Sequence, residues 1–126
     1  MSLLTLEKTV IYDSMCMDLL NDKRILYAGI VNNKGRIMTG SFEALPECFE
    51  NRRSFEVFLM EIALEFSMKR EFEENLGKID SVITKRSWAN VMCVPIVDNV
   101  LVIISHSTVQ SQDILKKCAP VFETSR

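Results

Sequence analysis

Between Ser54 and Arg70 the chain reads SFEVFLMEIALEFSMKR, with large apolar residues recurring every three or four positions, the period of an α-helix. Drawn at about 100° per residue, Phe55, Phe58, Leu59, Ile62 and Phe66 share a sector roughly 100° wide. Val57, Met60, Leu64 and Met68 fill a second sector of roughly 80° on the other side. Glu56 and Arg70 divide the two along one flank, Glu61 and Glu65 along the other. The first sector is predicted to pack on the protein's own sheet. The second needs a different cover.

Upstream, Leu3, Leu6, Val10, Ile11, Met17 and Leu20 recur at helical spacing with Glu7, Lys8 and Asp13 between them, predicting a helix over residues 4–20 that Asn21 and Asp22 close. The run ILYAGIV, then Asn32-Asn33-Lys34-Gly35, then RIMTG predicts a β-hairpin, because Gly35 can take positive φ without a Cβ clash. Ser41 to Arg53, with Pro46 and several charges, reads as a loop, and Ser54 as the N-cap of the long helix. That helix is predicted to reach Leu76, where Gly77 stops it. Lys78 to Lys85, Val91 to Val97 and Val100 to Ser105 read as three strands, the last two joined by a turn at Asp98-Asn99 and apolar enough to be buried in a sheet. Ser107 and Gln110 fit a capping box that opens a last short helix, closed by Pro120. The order α-β-β-α-β-β-β-α predicts an α+β sandwich with helices covering one five-stranded antiparallel sheet.

The chain has 126 residues, nearly half apolar and a quarter charged, with four glycines and three prolines. That is the size and composition of one compact domain spanning residues 1–126, and it argues against disorder. A formal net charge of −2 with no long basic run disfavours nucleic acid as partner. Cys16, Cys48, Cys93 and Cys118 form no CxxC pair, so zinc-ribbon and thioredoxin-like readings lack their spacing. The start of the chain, MSLLTLEK, has no basic leader or apolar core of a signal peptide, and widely spaced free thiols fit a reducing cytoplasm. The longest apolar run breaks at Asp98-Asn99, too short for a membrane span.

Candidate chemistry changes the picture little. His106 with Cys93 and Cys118 has the atom types of a soft metal site without diagnostic spacing, and Cys93 lies in an apolar run that raises a thiol pKa and leaves it inert. Glu71, Glu73 and Glu74 alternate with Lys69 and Arg70 as a solvated face. The four glycines make no phosphate loop. Lys85 and Arg86 beside Trp88 have the elements of a clamp, but a hairpin tip with its Trp folded onto the sheet is the favoured reading. No cofactor, metal or catalytic residue is expected, and the chain does not read as an enzyme.

The second helical stripe therefore carries the functional reading. It lies either under the Ser41 to Arg53 loop or against its own copy across a two-fold axis. Each Val, Leu or Met buried contributes about 1.5 to 3 kcal/mol. Eight across two copies gain on the order of 12 kcal/mol or more, against an association cost of about 4 to 15 kcal/mol. The predicted homodimer contact is Val57, Met60, Glu61, Leu64 and Met68.

The segments RILYAGIVNNKGRIMTG and FLMEIALEFSMKREFEENLG, in this order before the closing strands, resemble the Roadblock/dynein light chain family within the profilin-like folds, and small archaeal proteins of this fold in particular. The resemblance covers roughly Leu3 to Cys118 and marks no active site. It implies dimerisation through the central helix and an adjoining strand edge, and service as a regulator or platform for small GTPases. The expectation is a non-enzymatic, cytoplasmic homodimeric adaptor or signalling regulator. The alternative is a small-molecule sensor of PAS or GAF type, with the sheet and the Ser41 to Arg53 loop enclosing a pocket.

Overall fold

Strands whose residues are apolar on both faces need a cover on each side, and the helices supply it. In the computed structural model, which describes residues 3–40 and 45–125, α1 (Leu3–Leu20) leads into β1 (Ile25–Val31) and β2 (Ile37–Gly40). Then come α2 (Arg52–Lys69), one 3₁₀ turn (Arg70–Phe72) and the four-residue α3 (Glu73–Leu76). The chain closes with β3 (Val82–Lys85), β4 (Ala89–Ile96), β5 (Asn99–His106) and α4 (Ser111–Ser125). The five strands lie in the order β2-β1-β5-β4-β3, every neighbouring pair antiparallel. The predicted sandwich is the observed one. The first-helix side chains of Leu3 and Leu6, and loop residues 41–44, lie outside what is described.

Alternation along β4 divides the interior into two. Met92, Val94 and Ile96 pack with Met15, Cys16, Leu19, Ile114 and Cys118 of α1 and α4 on one face of the sheet. Ala89, Val91 and Cys93 pack with Phe55, Leu59, Ile62 and Phe66 of α2 on the other. The β1–β2 turn locks onto that helix. Asn32 Oδ1 accepts from the backbone N–H of Lys34 at 2.9 Å and of Arg36 at 3.0 Å. Gly35, at φ +81, sits so close that a Cβ there would lie 2.6 Å from Met60 Cα. Only glycine meets both demands.

Element ends differ from the sequence reading where the chain offers several similar local signals. Asn51, not Ser54, caps α2: its Oδ1 accepts from the Ser54 backbone N–H at 2.8 Å, and the helix starts at Arg52. The long helix does not stay regular to Leu76 but tightens at Arg70, whose guanidinium donates to the Val97 carbonyl at 3.0 Å. Gly77, at φ +86, does end the helical stretch. Strand β3 is shorter than Lys78 to Lys85. It pairs from Val82 opposite Cys93, and continuing the register would set Asp80 opposite Pro95, a residue with no N–H for the ladder. The β4–β5 turn comes at Val97 and Asp98, one residue early, and holds Val97 at φ +55. Helix α4 begins at Ser111 rather than at a Ser107 cap, because the Ser107 N–H donates to the Trp88 carbonyl at 3.2 Å, and it continues through Pro120.

Candidate interaction surface on helix α2

Because α2 lies along the sheet, side chains half a turn from the sheet-facing set point to solvent. Phe55, Leu59, Ile62 and Phe66 are buried, joined by Ala63. Phe58 is half-buried, its ring centroid 5.2 Å from that of Phe49. On the far side Val57 is 45% exposed, Met60 52%, Leu64 61% and Met68 59%. Glu61 is exposed beside them. All five residues predicted for the contact thus share one open face.

The described part of the loop does not cover that face. Pro46 is buried, and Leu45, Cys48 and Phe49 pack half-buried against the α2-side core. The Phe49 ring stands 5.1 Å from that of Phe55. These residues fill the end of the α2-side core rather than roof a cavity. Beyond the stripe, after the 3₁₀ turn that ends the regular helix, Phe72 is 55% and Leu76 85% exposed.

Clefts among the described residues lie elsewhere. One of about 620 Å³ opens beside the end of α2, lined by Phe66, Arg70, Lys78, Ile79, Val97 and Asp98 among others. The second, of about 380 Å³, lies between α1 and α4 and is bordered by Val10, Ile11, Met15, Leu19 and Lys117. Neither touches the described loop residues, so the pocket expected of a sensor is not found under them.

The candidate metal ligands are separated. Cys93 faces α2 while Cys118 lies in the core on the opposite face of the sheet, and His106 pairs with Ala89, four residues along the strand from Cys93. Burial pushes the Cys93 thiol up to about 12, with the Glu65 carboxylate adding to it. Burial does the same to Cys16, up to about 12, aided by Asp13 and Cys118, and to Cys118, up to about 11. Thiols held protonated are poor nucleophiles. Glu71 and Glu74 are exposed and Glu73 half-buried. Trp88 does not fold onto the sheet. It stands 64% exposed in the β3–β4 turn, with Lys85 and Arg86 exposed beside it. No helix among the described residues is long and apolar enough to cross a membrane.

No protein-family model and no curated protein matches this sequence. Solved structures do. A Roadblock/LC7 domain from Streptomyces avermitilis superposes with TM-score 0.69 at 10% identity over 89% of this chain and 92% of its own. An MglB in a tetrameric arrangement gives TM-score 0.69 at 14% identity over 94% and 85%. Profilin from Schizosaccharomyces pombe gives 0.60 at 15% identity over 90% and 94%. At such identities the likeness is one of backbone. The antiparallel five-stranded sheet, with α2 on one face and α1 and α4 on the other, is a fold that this chain shares with these Roadblock/LC7-domain and profilin structures.

Proposed function

We propose that this chain is a single-domain, non-enzymatic adaptor or signalling regulator that works as a homodimer, with α2 as its seam. The observation that carries the reading is the open apolar face of α2, a patch of a kind that monomers seldom leave wet. An MglB with the same fold assembles with itself, which supports self-association here.

The charges favour an antiparallel arrangement. Arg53 and Glu71 lie at the two ends of the stripe. Antiparallel pairing sets Val57 opposite the second copy's Met68, Met60 opposite its Leu64, and Arg53 opposite its Glu71. Parallel pairing would set like charges opposite one another. Since the four stripe residues are only about half exposed, each gains about half of its full transfer energy on docking, so eight gain roughly 6 to 12 kcal/mol. That gain falls within the range of the association cost, about 4 to 15 kcal/mol. Charge pairs at the stripe ends add up to about 1 kcal/mol each. A small GTPase is the external partner that the fold resemblance suggests, in the cytoplasm. Sedimentation equilibrium tests the seam directly: the expected mass is twice the 14.4 kDa of one chain, and a single-chain mass at about 100 µM, some hundredfold above a micromolar Kd, would overturn it.

A further inference from the structure

We propose that the β3–β4 turn is a docking tip for an anionic lipid bilayer. Trp88 is exposed at the end of the sheet, carried on the three-residue connection Arg86–Trp88 between β3 and β4. The connection is held rigidly. The Arg86 N–H donates to the Ala89 carbonyl at 2.9 Å, and the Trp88 carbonyl accepts from Ser107 at 3.2 Å. An indole held in water by an ordered turn is an unmet apolar surface, not a frayed end.

The surroundings are cationic. Lys85 and Arg86 flank the indole, both exposed and, among the described residues, neither in an ion pair. Lys23 and Arg24 come to the same end of the sheet, where the Arg24 carbonyl accepts from the His106 N–H at 2.9 Å. Asp22 lies there too, but its carboxylate is paired with Arg24 at 2.8 Å, and Asp113 lies close enough to act on Arg24. Lys117 also reaches Asp22, so Lys23, Arg24, Lys85, Arg86 and Lys117 against Asp22 and Asp113 leave a net charge of about +3 at this end, in a chain of net charge −2. The charge is therefore polarised towards the Trp88 end.

Shape selects the partner. The turn stands at the end of the sheet with Arg86, Ser87 and Trp88 all exposed and lines neither cleft, so it offers no walls to a small anion. Single-stranded nucleic acid wants a groove with successive aromatic platforms, and here one indole stands alone. A flat anionic surface suits a protruding tip: Trp settles at the headgroup level, and juxtaposed Lys and Arg are drawn to acidic lipids.

Trp88 is the only tryptophan, so its fluorescence reports the contact directly. Adding phosphatidylcholine vesicles containing phosphatidylserine should shift the emission to the blue, and the full chain should co-sediment with them. Pure phosphatidylcholine vesicles should do neither, and raising NaCl from about 50 mM to about 500 mM should reverse the effect as the Debye length contracts. The double variant Lys85→Gln, Arg86→Gln should bind about thirtyfold more weakly, and Trp88→Ala should lose co-sedimentation while its circular dichroism stays that of the parent. An unchanged spectrum with anionic vesicles, equal binding to neutral ones, or undiminished binding by the Lys85/Arg86 variant overturns the proposal. So does a blue shift produced by oligothymidylate or polyglutamate but not by vesicles.

Discussion

If α2 pairs antiparallel with its copy, Met60 of one chain lies against Leu64 of the other, and substitution at either position should undo the dimer. Met60→Lys and Leu64→Glu each place a charge where an apolar contact is expected. Each variant loses about 1 kcal/mol of burial at each of two symmetric sites, since the native side chains are 52% and 61% exposed before docking. Each also leaves an unpaired charge in the seam, at about 3 kcal/mol or more per site. The sum, on the order of 8 kcal/mol, corresponds to more than about 10⁵-fold in the dissociation constant. Both sites open to solvent in the single chain, so folding should change by no more than about 0.5 kcal/mol. Light scattering coupled to size exclusion should therefore find folded monomers of either variant. Mixing the two should restore a heterodimer, because the introduced ammonium of one then faces the introduced carboxylate of the other. A mixture that stays monomeric refutes the antiparallel axis. Variants that keep the parental dimer mass refute the seam, and loss of native circular dichroism would place both residues in the core.

Three further outcomes test the fold beneath the surface. Gly35→Ala combines a left-handed φ of +81 with a Cβ 2.6 Å from the Met60 backbone, so it should cost about 2 kcal/mol or more and lower Tm by roughly 8 °C; a loss under about 0.5 kcal/mol would detach the turn from α2. Asn51→Ala should cost about 1 kcal/mol in urea unfolding and Ser54→Ala only a few tenths, and the reverse order would restore Ser54 as the cap. The buried thiols of Cys16, Cys93 and Cys118, with folded values of about 12, 12 and 11, stay protonated where the unfolded chain's thiols, near 9, already ionise. The unfolded state then binds fewer protons, so stability should be intact below about pH 9 and fall by on the order of 1 kcal/mol per pH unit per thiol as pH rises towards about 12. At pH 8 a thiol reagent should find half-buried Cys48 quickly and the other three only in denaturant, and four fast thiols would contradict this.

What the sequence made legible is what depends on period alone. A repeat of 3.6 sorts α2 into Phe55-Leu59-Ile62-Phe66 and Val57-Met60-Leu64-Met68 without reference to any partner, and both faces are found where that repeat puts them. Apolar strands after a long helix likewise permit few arrangements. The misses arise where local signals are of similar strength, and a neighbour decides some of them while a contact far away in sequence decides others. Asn51 and Ser54 are both good caps three residues apart. Val97 reads as strand, yet the pairing of Ile96 with Asn99 makes it a turn residue. Ser107 has the chemistry of a cap but gives its N–H to Trp88. Trp88 itself was expected on the sheet because indoles are usually sheltered. Nothing within a few residues says that its turn projects past the sheet's end.

The two proposed surfaces constrain each other through the direction of α2. Its N-terminal end lies over the sheet row that includes Tyr27, Ile104 and Val91, where the Phe55 ring is 4.9 Å from that of Tyr27. Its C-terminal end reaches the β4–β5 turn through the bond from Arg70 to Val97. Trp88 lies just before β4 and Val97 just after it, so α2 runs away from the docking tip. An antiparallel two-fold axis reverses that direction. The dimer then carries its two Trp88 tips at opposite ends, and a flat bilayer meets one at a time. Dimerisation should thus add no avidity: Leu64→Glu monomers and parental dimers should bind phosphatidylserine vesicles with per-chain affinities within about twofold. A dimer presenting both tips to one surface would instead gain about 10²- to 10⁴-fold from effective concentration. Parallel co-sedimentation titrations separate the two cases, and a monomer weaker by a hundredfold would show that the tips share a face and that the helices do not pair head to tail.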